Sequence, residues 1–125
     1  MDPHIDVPWI LQVAELAGAS DPAPEDYGVP VAACARHRAE LLEHPVYDGS
    51  YARAAALVHT LGRCRWLEHS NLAVAAATGV MYLEACGISV KPAREDAAAL
   101  RDLLLAPTCT AADIARLLRS WPTAG

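Results

Sequence analysis

Residues 63–87 read Arg-Cys-Arg-Trp-Leu-Glu-His-Ser-Asn-Leu-Ala-Val-Ala-Ala-Ala-Thr-Gly-Val-Met-Tyr-Leu-Glu-Ala-Cys-Gly. The polar stretch 63–71 leads into a run, 72–86, that is apolar on nearly every side and stops at Gly87. Alanine and leucine at this density favour helix. A helix apolar all round must be buried on all sides, so the spacing predicts a central, core-embedded helix with Ser70 as its cap. Backbone N–H groups at such a start can hold an anion. The loop in front of the helix is therefore where a site is sought.

Working outward, the pattern predicts five more helices and an all-α fold. A first helix is expected over 8–17, capped by Asp6, with Pro8 in its first turn and Gly18 at its end. Pro22, Pro24 and Gly28 make 19–28 a loop. A second helix is expected over 30–43, with Val31, Cys34, Ala35, Leu41 and Leu42 on one face. Pro45 breaks it. Val46 and Tyr47 prefer extended backbone and Asp48-Gly49 is a turn signal, so 44–50 reads as a short hairpin or flap, or as an irregular connection. Ser50 is expected to cap a third helix, 50–63, built on Ala54, Ala55, Leu57, Val58 and Leu61. A fifth helix over 93–105 turns Ala97, Leu100, Leu103 and Leu104 inward. The sixth opens with Thr110 and Asp113 in a capping box, buries Ile114, Leu117 and Leu118, and stops before Pro122.

Composition narrows the possibilities. The 125 residues suit one domain, 1–125, able to bury about two-thirds of its surface without metal or disulfide support. Fifteen acidic against ten basic residues give a net charge of −5, and Lys91 is the sole lysine. That argues against a nucleic-acid surface, which needs clustered cations. The acidic start, the lack of a charge-free run of about 20 apolar residues, and four dispersed cysteines without a C-x-x-C pair make a cytoplasmic protein with reduced thiols the expectation, with no membrane partner.

The order of features resembles the Fic/Doc family, particularly the small Doc-like toxins of bacterial toxin–antitoxin pairs. The likeness runs through Asp-Tyr-Gly at 26–28, the flap-like 44–50, Ala-Ala-Ala-Leu at 54–57, the helix 71–87, Ile-Ser-Val at 88–90 and Leu-Leu-Arg-Ser-Trp at 117–121. It implies a compact six-helix bundle around the buried central helix. It also implies the toxin component of a toxin–antitoxin system, with a small antitoxin encoded nearby, a translation-related protein as target, and ATP with Mg²⁺ as the family's cofactors.

The family signature, His-x-Phe-x-(Asp/Glu)-(Gly/Ala)-Asn-(Lys/Gly)-Arg, falls on 65–73 when set on Asn71. Arg65 then stands at the histidine position, Leu67 at the phenylalanine, His69 at the acid and Ser70 at the small residue, while Leu72 and Ala73 replace the basic pair. Arginine cannot act as a base at neutral pH. Neutral His69 suits Mg²⁺ poorly, and Leu72 and Ala73 bring no charge to a phosphate. Standard adenylylation or phosphorylation is thus not expected, and the alternative is a pseudoenzyme that acts as a protein-binding module. A rewired site remains open: His69 and Asn71 as catalytic residues, Arg65, Ser70 and Asn71 as phosphate or nucleotide ligands, and Glu68 as a metal ligand. Its plain counterpart is an Arg65–Glu68 surface pair with His69 as an ordinary loop residue.

Val46, Tyr47, Asp48 and Trp66 are the candidates for a partner-binding flap, since aromatics are enriched at binding hot spots; burial of Trp66 over the domain is the duller account. His59 reads as a satisfied, partly buried histidine, and His37 and His44 as solvated. No His-x-x-x-His, zinc spacing, Gly-x-Ser-x-Gly or glycine-rich phosphate loop is present.

Overall fold

Asp6 opens the first helix as its position ahead of Pro8 predicts: its Oδ1 accepts from Trp9 N at 3.0 Å. In the computed structural model, which describes residues 2–18 and 20–124, the chain runs α1 (Val7–Ala17), α2 (Gly28–His37), β1 (Glu40–Leu41), β2 (His44–Pro45), α3 (Ser50–Arg63), α4 (Asn71–Ala85), α5 (Arg94–Leu105) and α6 (Ala111–Ser120). The expected loop after α1 is present, although Ala19 lies outside the described residues. Six helices on one hydrophobic core, with a two-strand hairpin as the only sheet among the described residues, make an all-α bundle.

Of the four expected N-terminal caps, Asp6 and Thr110 form theirs. Thr110 Oγ1 accepts from Asp113 N at 3.2 Å while Asp113 Oδ2 accepts from Thr110 N at 3.0 Å, the reciprocal box predicted for α6. Ala93 N donates to Asp96 Oδ2 at 2.7 Å at the start of α5. Ser50 differs: it is the first helical residue of α3, and Gly49 at φ 91° takes the cap position, a conformation glycine adopts without strain. Ser70 holds the cap position of α4, but its side chain makes no capping bond to the helix.

The buried centre of the bundle is α3, where the sequence reading puts α4. Ala54, Ala55, Ala56, Leu57, Val58 and Leu61 are fully buried, and α3 packs against α2, α4, α5 and α6. α4 has one fully buried face, Val74, Ala75, Thr78, Gly79, Tyr82 and Leu83, whereas Ala73 and Ala85 are exposed. The physical reason is the alanine content. An exposed alanine leaves so little apolar surface in water that an all-round apolar pattern made of it does not force burial.

Small residues also set how closely α3 and α4 approach. A Cβ on Gly79 would lie 2.8 Å from Val58 Cγ2, and one on Gly62 would lie 2.7 Å from Leu104 Cδ1 and 3.2 Å from Ala75 Cβ. Gly79→Ile should therefore lower stability by about 2 kcal/mol through overpacking, outweighing the roughly 0.5 kcal/mol that replacing a helical glycine returns. A urea midpoint equal to or above that of the parent chain would show that the two helices can spread at no cost.

Three expectations are corrected. The second helix stops at His37, six residues early, and its buried face is Val29, Pro30, Ala33, Cys34 and His37; Val31, Leu41 and Leu42 are exposed at 54, 70 and 87% and Ala35 is exposed too. The chain leaves the helix because it folds back on itself: Glu40 pairs with Pro45, Leu41 with His44, and Val46 N donates to Ala39 O at 2.9 Å. The hairpin thus exists but is centred on Leu42 and Glu43, with Asp48-Gly49 leading into α3 instead of forming its turn. In α5, Leu100 and Leu104 are buried as expected, while Ala97 is exposed.

Candidate functional site

The loop between α3 and α4 is folded around the side chain of Asn71. Its Oδ1 accepts from the N–H groups of Trp66 (3.1 Å) and Leu67 (3.0 Å), and its Nδ2 donates to Leu67 O (2.8 Å). A side-chain amide has four hydrogen-bonding positions, and three are spent on the loop's own backbone. Asn71 acts as a staple, and it lines none of the three clefts described below.

The loop is fastened a second time by the segment 20–27. Asp21 Oδ1 accepts from His69 N at 2.8 Å. The Ser70 hydroxyl, foremost, and the N–H groups of His69 and Ser70 hold the Asp21 carboxyl below the usual carboxylate range, against a desolvation that raises it. Glu25 N donates to Trp66 O at 2.8 Å, and Glu25 Oε2 meets Arg65 Nε at 3.4 Å. The anion expected in front of α4 is thus the protein's own carboxylate.

The proposed phosphate ligands do not converge. Arg65 is two-thirds exposed and turned to Glu25, not to Glu68 as the surface-pair reading has it. Ser70 is buried against Asp21. Glu68 Oε1 faces only His69 Nε2, at 3.6 Å, with both side chains well exposed, and no group of three His, Cys, Asp or Glu side chains among the described residues is placed to hold a metal ion. ATP and Mg²⁺ therefore do not fit the residues present: Asp21 takes the N–H groups of His69 and Ser70, Arg65 is paired with Glu25, and no cluster of metal ligands stands among the described residues.

The partner-binding candidates separate. Trp66 is fully buried, so it is a core residue and not an exposed hot spot. Val46 is 53% exposed and Asp48 is exposed. Tyr47 is half-buried, its hydroxyl accepting from Arg36 Nε at 2.7 Å and its ring lying 5.3 Å from the Arg36 guanidinium carbon. Arg36 ties four segments together: its Nη1 also reaches His59 Nδ1 (2.7 Å) and Thr60 Oγ1 (3.2 Å), and His59 Nε2 reaches Cys109 O (2.9 Å). His59 is the satisfied, partly buried histidine expected, and desolvation holds its pKa down.

His37 is a further correction. It is 1% exposed, not solvated. Its Nε2 accepts from Ile5 N at 3.1 Å, its ring meets His4 and Tyr82 edge to face at 5.6 and 5.3 Å, and Nδ1 is buried without a hydrogen-bond partner. The signal was available: residue 37 follows Ala33 by four and Pro30 by seven, which puts it on the buried stripe. Asp21 had no such signal, because its role depends on a partner 48 residues away.

Three clefts stand out. The largest, about 470 Å³, lies between α1 and the segment 20–27, with Leu67 as the one contribution from the α3–α4 loop. A small apolar one of about 160 Å³ lies between α4 and α5. The third, about 380 Å³, is walled by Val46 and Tyr47 and floored by α6. No helix among the described residues is long and apolar enough to cross a membrane. Comparison with family models, curated proteins and solved structures finds no match.

Proposed function

We propose that this chain is a protein-binding module that performs no nucleotide chemistry. The observation that carries the reading is the hairpin segment: Leu41, Leu42 and Val46 stand in solvent, and Leu42, the most exposed large apolar residue, is held at φ 51°. A bulky residue kept in a left-handed conformation with its side chain in water is costly twice over, and contact with another protein would return part of that cost. The α3–α4 loop supports the same reading from the other side, because Asn71, Ser70 and Arg65 are committed to internal contacts.

The role as toxin component, with a nearby-encoded antitoxin and a translation-related target, rests on the sequence resemblance. It is compatible with a toxin that acts by binding. The test is to incubate the pure protein with lysate, Mg²⁺ and labelled ATP, beside His69→Ala, and to titrate ATP by calorimetry. The expected result is no label transferred and no heat of binding. Label whose transfer depends on His69 overturns the reading and restores an enzyme.

A further inference from the structure

We infer that the groove between Val46–Tyr47 and α6 is the docking site for a partner segment that combines acidic side chains with an apolar one; the inference rests on the binding-module reading and gives it a location and a chemistry. Ala111, Ala112 and Ala115 of α6 and Ala52 of α3 form an apolar floor of methyl groups, and α6 adds Arg116 and Arg119 to the lining. The hollow measures about 380 Å³, within the range of sites that enclose a compact ligand or an inserted side chain. Its wall is the exposed Val46 and the ring of Tyr47, an apolar body with a polar tip, the kind of surface interfaces favour.

Charge selects the occupant. The chain carries 15 acidic and 10 basic residues, yet both charged residues lining the groove are arginines, Arg116 and Arg119. Arg116 is paired with Asp113. Arg119 lies over the Tyr51 ring, 5.4 Å from its centroid, and makes no ion pair among the described residues. Arg36, behind Tyr47, has as its side-chain partners among the described residues Tyr47 Oη, His59 Nδ1 and Thr60 Oγ1. The two arginines that line the groove thus have one carboxylate partner between them, that of Asp113. A carboxylate brought to Arg119 gains a charge-assisted, bidentate partner that the fold does not supply, while an apolar side chain beside it settles on the alanine floor.

The experiment titrates ¹⁵N-labelled protein with a short peptide alternating Glu and Leu, and separately with its Lys/Leu counterpart and with single-stranded RNA. The Glu/Leu peptide should give saturable shifts at Tyr47, Ala111, Ala112 and Ala115. Arg119→Glu should weaken it about ten-fold or more, equivalent to ~1.4 kcal/mol, and Ala112→Trp, at an exposed position that tolerates bulk, should abolish it. Arg119→Gln provides a milder variant should charge reversal disturb the fold, and should weaken binding by a smaller factor. Equal binding of the Lys/Leu peptide, preference for RNA, shifts elsewhere, or unchanged affinity in both Arg119 variants overturns the inference. Failure here with no ATP chemistry removes the groove alone, whereas His69-dependent labelling removes the binding-only reading whatever the peptide does.

Discussion

Trp66→Ala is expected to cost the fold about 4 kcal/mol, since an indole that leaves a buried site takes its transfer energy with it and leaves a void. That is a large share of the roughly 5–15 kcal/mol by which a domain is stable. The side chain is fully buried, and its backbone joins the two loops in front of α4: Trp66 N donates to Asn71 and Trp66 O accepts from Glu25 N. The loss should therefore also loosen the Asp21 contact with His69. Trp66→Phe separates the contributions. Nε1 has no partner to lose, so phenylalanine gives up volume alone and should cost about 1–2 kcal/mol. Urea unfolding of the three proteins reads this directly. A Trp66→Ala loss below about 1 kcal/mol, the size of an ordinary surface change, would return Trp66 to the role of a surface aromatic.

Where local chemistry and tertiary demand agree, the chain is legible from its residues. Asp6 with Pro8, and Thr110 with Asp113, mark helix starts because the capping partner lies within a few residues. Gly87, at φ 88°, closes α4 for the same kind of local reason. The hairpin lies before the 44–50 that the sequence predicts because Leu42 and Glu43 occupy φ 51° and 66° with neither glycine nor asparagine to announce it, while Asp48-Gly49 announces a turn that serves α3 instead. Which helix sits at the centre was also hidden. α3 carries Arg53, His59, Thr60 and Arg63, which lower its apparent hydrophobicity, yet each finds a partner: Arg53 with Asp2, His59 and Thr60 with Arg36, and Arg63 with Leu104 O and Ala106 O. Periodicity records polarity and is blind to satisfaction. The surroundings of the candidate site are illegible for a related reason. A motif alignment puts residues at positions, but it shows neither that Asn71 bonds to its own loop nor that Asp21 and Glu25, which the motif does not contain, fasten that loop.

Acid should weaken this fold in a window that belongs mainly to His37. Burial, foremost, then the nearby His4, Arg38 and Arg53 lower its pKa from 6.5 to about 4. The sign follows from linkage. Between those values the unfolded chain takes up a proton that the folded chain refuses, so the His37 contribution is fully present above 6.5 and is lost as pH falls towards 4. The shift corresponds to ~3 kcal/mol. Geometry gives the same direction, because a proton on Nε2 would confront the Ile5 N–H that now donates to it at 3.1 Å. The segment holding Ile5 should feel it first. That segment is kept on the bundle by Arg38 to Ile5 O, Tyr82 to Pro3 O and the Asp2–Arg53 pair. His59, whose pKa is also lowered, adds a smaller loss in the same direction. Asp21 and Asp113, both held below 3.8, lose their contributions only at lower pH. The measurement is urea unfolding across this range beside His37→Gln, which keeps an acceptor for Ile5 N and cannot take a proton. The variant should be less stable than the parent above 6.5 but markedly flatter with pH. If it keeps the parent's slope, the acid sensitivity lies in other groups and the buried histidine does not govern it.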